Sequence, residues 1–233
     1  TQYDYFASQR EISSLVVISD NNATTSYEYD RTGRLKQVTS PMDPATQNVV
    51  INTMSYDSVG RRLTQDNPDQ NSTGNPNLNA LSLSYSALTG LLSTATDALQ
   101  RITHYQFDNL GRVTQKTFSD QSYVHFTYDD ENIQSPNSLG LLSLEQGYDS
   151  QGMPAYSQWS GYDEYGRSTR KELSYGSEQE TYLSQSVLDP IGHIIQRQFP
   201  NAVSYTAAYD MGNMTRVNAP DISAEFAQYS PFG

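Results

Sequence analysis

The sequence predicts an all-β fold, with antiparallel β-hairpins side by side in one strongly curved sheet. Three observations carry this expectation. The composition favours strands and turns, with 18 Tyr against 7 Phe and 1 Trp and an abundance of Ser, Thr, Asn, Asp, Gln and Gly. A short motif, aromatic-Asp-x-x-Gly-Arg, recurs along the chain. Its copies lie mostly about 21 residues apart, with insertions and one short step.

The 233 residues, 36% of them hydrophobic, suffice for one large all-β domain or a piece of something larger. Net charge is −12, which argues against nucleic acid or an anionic membrane surface as partner, since both need clustered Lys and Arg. Nothing resembles a run of ~18 apolar residues, so no membrane insertion is expected. Cysteine is absent, which excludes disulfides, thiolate metal sites and Cys nucleophiles. Thr1 is no initiator Met and Gly233 follows Ser-Pro-Phe abruptly, so the chain reads as an excised or processed fragment.

Four copies of the motif are clear. They are Tyr27-Glu28-Tyr29-Asp30-Arg31-Thr32-Gly33-Arg34-Leu35, Tyr56-Asp57-Ser58-Val59-Gly60-Arg61, Tyr105-Gln106-Phe107-Asp108-Asn109-Leu110-Gly111-Arg112 and Tyr162-Asp163-Glu164-Tyr165-Gly166-Arg167. Degenerate copies fill the gaps. Tyr85-Ser86 reaches Gly90 with one extra residue, and Tyr148-Asp149 reaches Gly152 without the Arg. Leu188-Asp189-Pro190-Ile191-Gly192-His193 replaces Tyr by Leu and Arg by His. Tyr128-Asp129 and Tyr209-Asp210 put Asn132 and Asn213 in the Gly slot.

Each part of the motif has a physical reason. Tyr27 and Tyr29 are two apart, so both rings face one side of a strand. Asp30 is the short acceptor that the first position of a tight turn favours. Gly33 falls where the chain needs positive φ before a bulge, and Asn is the usual second choice there. Arg34 starts the returning strand, within reach of the Asp or the turn carbonyls. The same roles fall to Asp57, Gly60 and Arg61, to Asp108, Gly111 and Arg112, and to Asp163, Gly166 and Arg167. Eight Asp in these slots against four Arg account for four of the twelve net negative charges.

Between the tips lie strands such as Leu15–Ile18, Val49–Ile51 and Ser122–Tyr128. Asp66–Leu78 and Asn132–Gly140 read as surface loops. Ser8–Ser14 reads as a short helix or an irregular lead-in. The expected organisation is N-terminal entry strands over 1–26, a hairpin array over 27–213 and a C-terminal edge segment over 214–233, all one structural domain.

Tyr-x-Tyr-Asp-x-x-Gly-Arg at this spacing resembles the YD or Rhs repeat. The resemblance covers roughly residues 27 to 213. That family includes bacterial polymorphic toxins, shells of insecticidal toxin complexes, wall-associated proteins and teneurins. It implies hairpins joined into a long sheet that spirals into a hollow shell around a toxic polypeptide, or in teneurins part of an extracellular adhesion molecule. Toxin-type members carry an Asp-Pro-x-Gly signature in a self-cleavage region. Asp189-Pro190-Ile191-Gly192 matches those letters but falls in the repeat frame, so it reads as a turn.

The expected role is therefore structural and non-catalytic, a secreted or cell-surface wall segment whose partners are other shell segments or a toxin polypeptide. The alternative is an extracellular module that recognises carbohydrate or a partner protein. No catalytic residue, metal site or cofactor is expected. Tyr27, Tyr29, Tyr56, Tyr105, Tyr128 and Tyr162 could stack on sugars or an unfolded chain, against the reading that they are the sheet's own cross-strand packing. His104 and His125 share a repeat slot opposite the Tyr face. They read as exposed strand residues rather than a metal or proton-sensing pair. Asp129-Asp130-Glu131 and Asp163-Glu164 offer too few ligands in sequence for a calcium loop. Asn22, Asn71 and Asn213 open N-glycosylation triplets, which matter only in a eukaryotic source.

Overall fold

A computed structural model of the chain describes residues 2–8, 11–18, 24–43, 45, 49–66, 81–130, 132–176, 181–200, 202–220 and 222–225. Its regular structure is all β, and the strands pair antiparallel in chain order within two compact units, Thr1–Tyr105 and Gln106–Gly233. Among the described residues no helix is long and apolar enough to cross a membrane.

The first unit runs through β1 (Gln2–Ser8), β2 (Glu11–Ile18), β3 (Thr24–Tyr29), β4 (Leu35–Thr39), β5 (Ile51–Tyr56), β6 (Arg62–Asp66), β7 (Leu81–Tyr85), β8 (Leu92–Asp97) and into β9 (Ile102–Phe107). Each strand pairs with the next. Residues directly opposite share a face. Tyr27 stands opposite Val38 and Leu83 opposite Ala95, so aromatic and aliphatic side chains gather on one face, where Met54 stands opposite Gln65. The other face pairs Ser26 with Thr39, Ser55 with Thr64 and Ser84 with Thr94.

The second unit holds β10 (Val113–Thr117), β11 (Tyr123–Tyr128), β12 (Leu142–Tyr148), β13 (Pro154–Tyr162), β14 (Ser168–Tyr175), β15 (Thr181–Leu188), β16 (Ile194–Gln198), β17 (Ser204–Asp210), β18 (Asn213–Ala219) and β19 (Ile222–Glu225). These too pair in sequence. Each unit is an open meander: among the described residues no pairing closes it on itself.

With one layer there is little to bury. The buried hydrophobic side chains among the described residues are Ala98 and Leu144. Alternation still shows: along β9, Thr103, Tyr105 and Phe107 are half-buried while Ile102, His104 and Gln106 are exposed. Stability in such a sheet comes from neighbour-to-neighbour contacts, as in other repeat proteins.

Ser8 and residues 11–14 are strand rather than helix. Ser8 ends β1 and Glu11 starts β2, where pairing with Gln2–Ser8 satisfies the backbone and the apolar run to Ile18 continues the strand. The 132–140 loop does not simply lie on the surface. Ser135 and Ser138 are fully buried, and Ser135 Oγ donates to the Ser160 carbonyl at 2.5 Å. Most of Asp66–Leu78, with Asn71 and also Asn22, lies outside the described residues.

Candidate functional site

In each clear copy the Asp organises its own turn. Asp30 Oδ1 accepts the backbone N–H of Thr32 at 2.9 Å and of Arg34 at 3.0 Å. Its Oδ2 accepts Arg34 Nε at 2.7 Å. The backbone closes with Gly33 N–H to the Asp30 carbonyl and Asp30 N–H to the Arg34 carbonyl. Asp57–Arg61, Asp108–Arg112 and Asp163–Arg167 repeat this pattern. The Arg34 backbone N–H, helped by the Thr32 hydroxyl, holds the Asp30 carboxyl far below the usual carboxylate range. Burial alone would raise Asp57 and Asp163, but the hydrogen bonds from Arg61 and Arg167 outweigh it and lower both.

Gly33 has φ +79 and nothing within 4 Å of the position a Cβ would take, so backbone conformation alone demands glycine there. Two residues past Arg34, the returning strand carries a bulge. Tyr29 faces Leu35 while Glu28 faces Gln37, which leaves Lys36 as the extra residue. The same irregularity recurs at Tyr56, Tyr85, Tyr128, Tyr148, Tyr162, Leu188 and Tyr209.

The Arg also reaches out of its own turn. Arg34 Nη1 donates to the Asp57 carbonyl at 2.8 Å, and Arg61 Nη1 to the Gly90 carbonyl at 3.0 Å. Arg167 Nη1 donates to the Asp189 carbonyl at 3.0 Å, and Arg112 Nη2 pairs with Asp129 Oδ2 at 2.8 Å. Three of these guanidiniums lie over the next copy's tyrosine: Arg34 over Tyr56 (5.0 Å), Arg61 over Tyr85 (4.5 Å) and Arg112 over Tyr128 (4.4 Å). Each tyrosine returns a bond to the copy before it. Tyr56, Tyr85 and Tyr128 donate from Oη to the carbonyls of Leu35, Arg62 and Val113, at 2.8, 2.9 and 2.9 Å. The result is a ladder along one edge of each unit, in which every rung belongs to two copies.

The departures keep the ladder's logic. His193 Nδ1 lies 2.9 Å from Asp189 Oδ2, and its ring stacks on Tyr209 at 4.4 Å. At the next rung back Leu188 offers no ring, and Arg167 instead lies over Tyr165 of its own turn at 5.0 Å. Leu141 occupies the Arg position of the Asp129 copy. There the inserted loop makes the polar links, with Asn137 Nδ2 donating to the Tyr162 carbonyl and Tyr162 N–H to the Pro136 carbonyl.

Two slot assignments from the sequence change. Asn132 is not in the Gly slot. Asp129 N–H finds the Leu141 carbonyl, Gly140 (φ +80) donates to Asp129 Oδ1, and Asn132 Oδ1 instead accepts Gln134 and Ser135 N–H. Asn213 begins β18 opposite Asp210. The turn is the two-residue Met211-Gly212, both at positive φ as a type I′ turn requires. Asp149 forms the turn between β12 and β13, on the opposite edge from Asp129 and Asp163.

Sequence reasoning missed Asp97 and Arg101. This turn between β8 and β9 has the same Asp–Arg chemistry, with Gln100 at φ 61 in place of glycine. The pair four residues apart was the available signal; Thr96 before the Asp and Gln100 hid it.

The six tyrosines singled out fall into two groups. Tyr56, Tyr128 and Tyr162 commit their hydroxyls to backbone carbonyls, Tyr162 to that of Leu142 at 2.8 Å. Tyr27, Tyr29 and Tyr105 are half-buried in their strands. His104 and His125 are both exposed. Carboxylates at the tips are engaged too: Asp129 is held low by the Arg112 side chain and the Gly140 N–H.

No family model and no curated protein matches the chain. Among solved structures it is similar to crystal structures of TcdB2-TccC3. That of TcdB2-TccC3-Cdc42 aligns at TM-score 0.62 with 13% identity, over 96% of this chain and 14% of that one. TcdB2-TccC3 itself gives TM-score 0.61, 11% identity and the same coverage. TcdB2-TccC3 without its hypervariable C-terminal region gives 0.58 and 12%, over 88% and 13%. The chain has the YD-repeat fold. At this identity the likeness concerns the fold, and the chain spans only 13–14% of the matched chains' length. As a YD-repeat sheet it owes its side-by-side order to the Asp-Gly-Arg turns and the tyrosine–arginine ladder between them.

Proposed function

We propose that this YD-repeat segment is a structural, non-catalytic part of a shell wall that encapsulates or presents a toxin polypeptide, secreted or at a cell surface. The observation that carries this reading is the ladder. The motif's Asp, Arg and Tyr groups are committed to holding one hairpin to the next, as a load-sharing wall requires. The fold likeness to TcdB2-TccC3 supports it. In this reading 27–213 is wall, with 1–26 and 214–233 leading into neighbouring segments of the same shell. The test is electron microscopy of the full-length protein with limited proteolysis. Hollow particles that protect an enclosed polypeptide are expected; particles without a cavity, or complete digestion, would overturn the reading.

A second reading rests on a different observation. Tyr175 and Tyr182, 50% and 41% exposed, form an edge-to-face pair at 6.0 Å near the end of β14. Such a pair can stack on a sugar ring. Saturable binding of one glycan on an array, lost in Tyr175→Ala and Tyr182→Ala, would favour a carbohydrate-binding module over the wall.

A further inference from the structure

We propose that the second unit carries an oxyanion site on the sheet face between β14, β15 and β16. The register builds it. Lys171 stands opposite Ser184, and Arg197 opposite Ser186. Ser184 and Ser186 are two apart on β15, so all four side chains lie on one face. With Ser168 and Thr169 at the start of β14 they line a depression of about 150 Å³ that has no carboxylate in its wall.

Its charge stands out against the rest of the chain. Net charge is −12, and the motif arginines Arg34, Arg61, Arg112 and Arg167 each pair with an Asp. Arg170, which also lines the depression, pairs with Glu172. Lys171 and Arg197 have no carboxylate partner among the described residues. The Arg197 guanidinium lies over the Phe199 ring at 5.3 Å, and its Nε is buried without an acceptor. A buried donor left open is a standing demand for an acceptor.

The chemistry selects the ligand. Two cations and a row of hydroxyls donate to oxygen and repel cations. The volume falls well below the roughly 300–1,000 Å³ of drug-sized pockets. The site therefore takes one small oxyanion group: a carboxylate, sulfate or phosphate. That group arrives either as a free inorganic ion or on an acidic side chain of a bound polypeptide.

The experiment is isothermal titration of the chain with sodium sulfate, sodium phosphate and an acetyl-capped Glu-rich peptide, with chloride adjusted to hold ionic strength. Saturable binding is expected, weakened about tenfold or more in Lys171→Met and in Arg197→Gln, as loss of one charge-assisted hydrogen bond implies. It should be unchanged in Lys36→Met, which removes an exposed cation on β4. Stronger binding of the peptide assigns the site to a partner's carboxylate, and stronger binding of sulfate or phosphate assigns it to a free anion. Should Arg197→Gln fail to fold, the exposed Lys171 still carries the test. Absence of saturation, or equal weakening by Lys36→Met, would overturn the site.

Discussion

Arg34 donates to the backbone carbonyl of Asp57 at 2.8 Å, across 23 residues of sequence. The same guanidinium holds Asp30 of its own turn through Nε and lies over Tyr56 of the next copy. One side chain thus closes its own hairpin tip and fixes the position of its neighbour's. Lysine could not do this, because a single ammonium lacks the planar fork that serves three partners at once. Arg61 and Arg167 repeat the carbonyl bond and Arg112 pairs with the Asp129 carboxylate instead, so a guanidinium link to the next turn is the unit of order along the sheet edge.

Acid should loosen the Asp-held turns. The carboxyls of Asp30, Asp57, Asp97, Asp108, Asp163 and Asp189 are all held below their ordinary value by N–H donors of their own turns. The unfolded chain therefore binds more protons than the folded one in acid, so stability rises with pH through that window. The contribution is complete above the usual Asp pKa of about 4 and is lost as pH falls toward the depressed values. Urea midpoints should be level from pH 7 to 5 and drop steadily below about pH 4. A flat profile down to pH 2.5 would contradict the Asp geometry.

Removing a ladder hydroxyl should cost little but measurably. Tyr56→Phe and Tyr128→Phe each delete one hydrogen bond to a carbonyl of the preceding copy. A loss of roughly 0.5–1.5 kcal/mol each is expected from denaturant unfolding. Tyr165→Phe, at a position 67% exposed, is the control and should be neutral. Equal effects at all three would deny the inter-copy bond.

Turn glycines should tolerate Asn better than Val. At Gly33 (φ +79) and Gly60 (φ +91) a β-branched residue is strained, and Val should destabilise by about 1–3 kcal/mol. Asn visits positive φ more readily and should cost less. Similar midpoints for Val and Asn at both sites would show that the turn conformation is not limiting.

Gly147 is constrained by space instead. A Cβ there would stand 2.1 Å from the Tyr156 ring, which lies across the strand. That ring also donates its hydroxyl to Glu145 at 2.6 Å; burial first, and then the Glu145 carboxylate, push the phenol up to about 12. Gly147→Ala should destabilise by roughly 1–3 kcal/mol through overpacking. Adding Tyr156→Ala should recover part of that loss in a double-mutant cycle. Strict additivity would rule out the steric account.

The sequence by itself determined what is local. The all-β class, the hairpin unit and the Asp, Gly and Arg positions of the four clear copies follow from chemistry confined to five successive residues. An Asx acceptor and a left-handed glycine have the same preferences whatever surrounds them. It also hid what depends on where a hairpin closes. Asn132 looked like a turn residue until Asp129 was seen to pair with Leu141, because an insertion leaves the local pattern intact while moving the closure. Asp97 and Arg101 escaped notice because the sheet tolerates Gln100 at positive φ on the opposite edge. Above all, only the tertiary structure decided the partners of Arg34, Arg61 and Tyr56. Their second contacts belong to another copy more than twenty residues away, and register between hairpins is set by the packed sheet, not by any one turn.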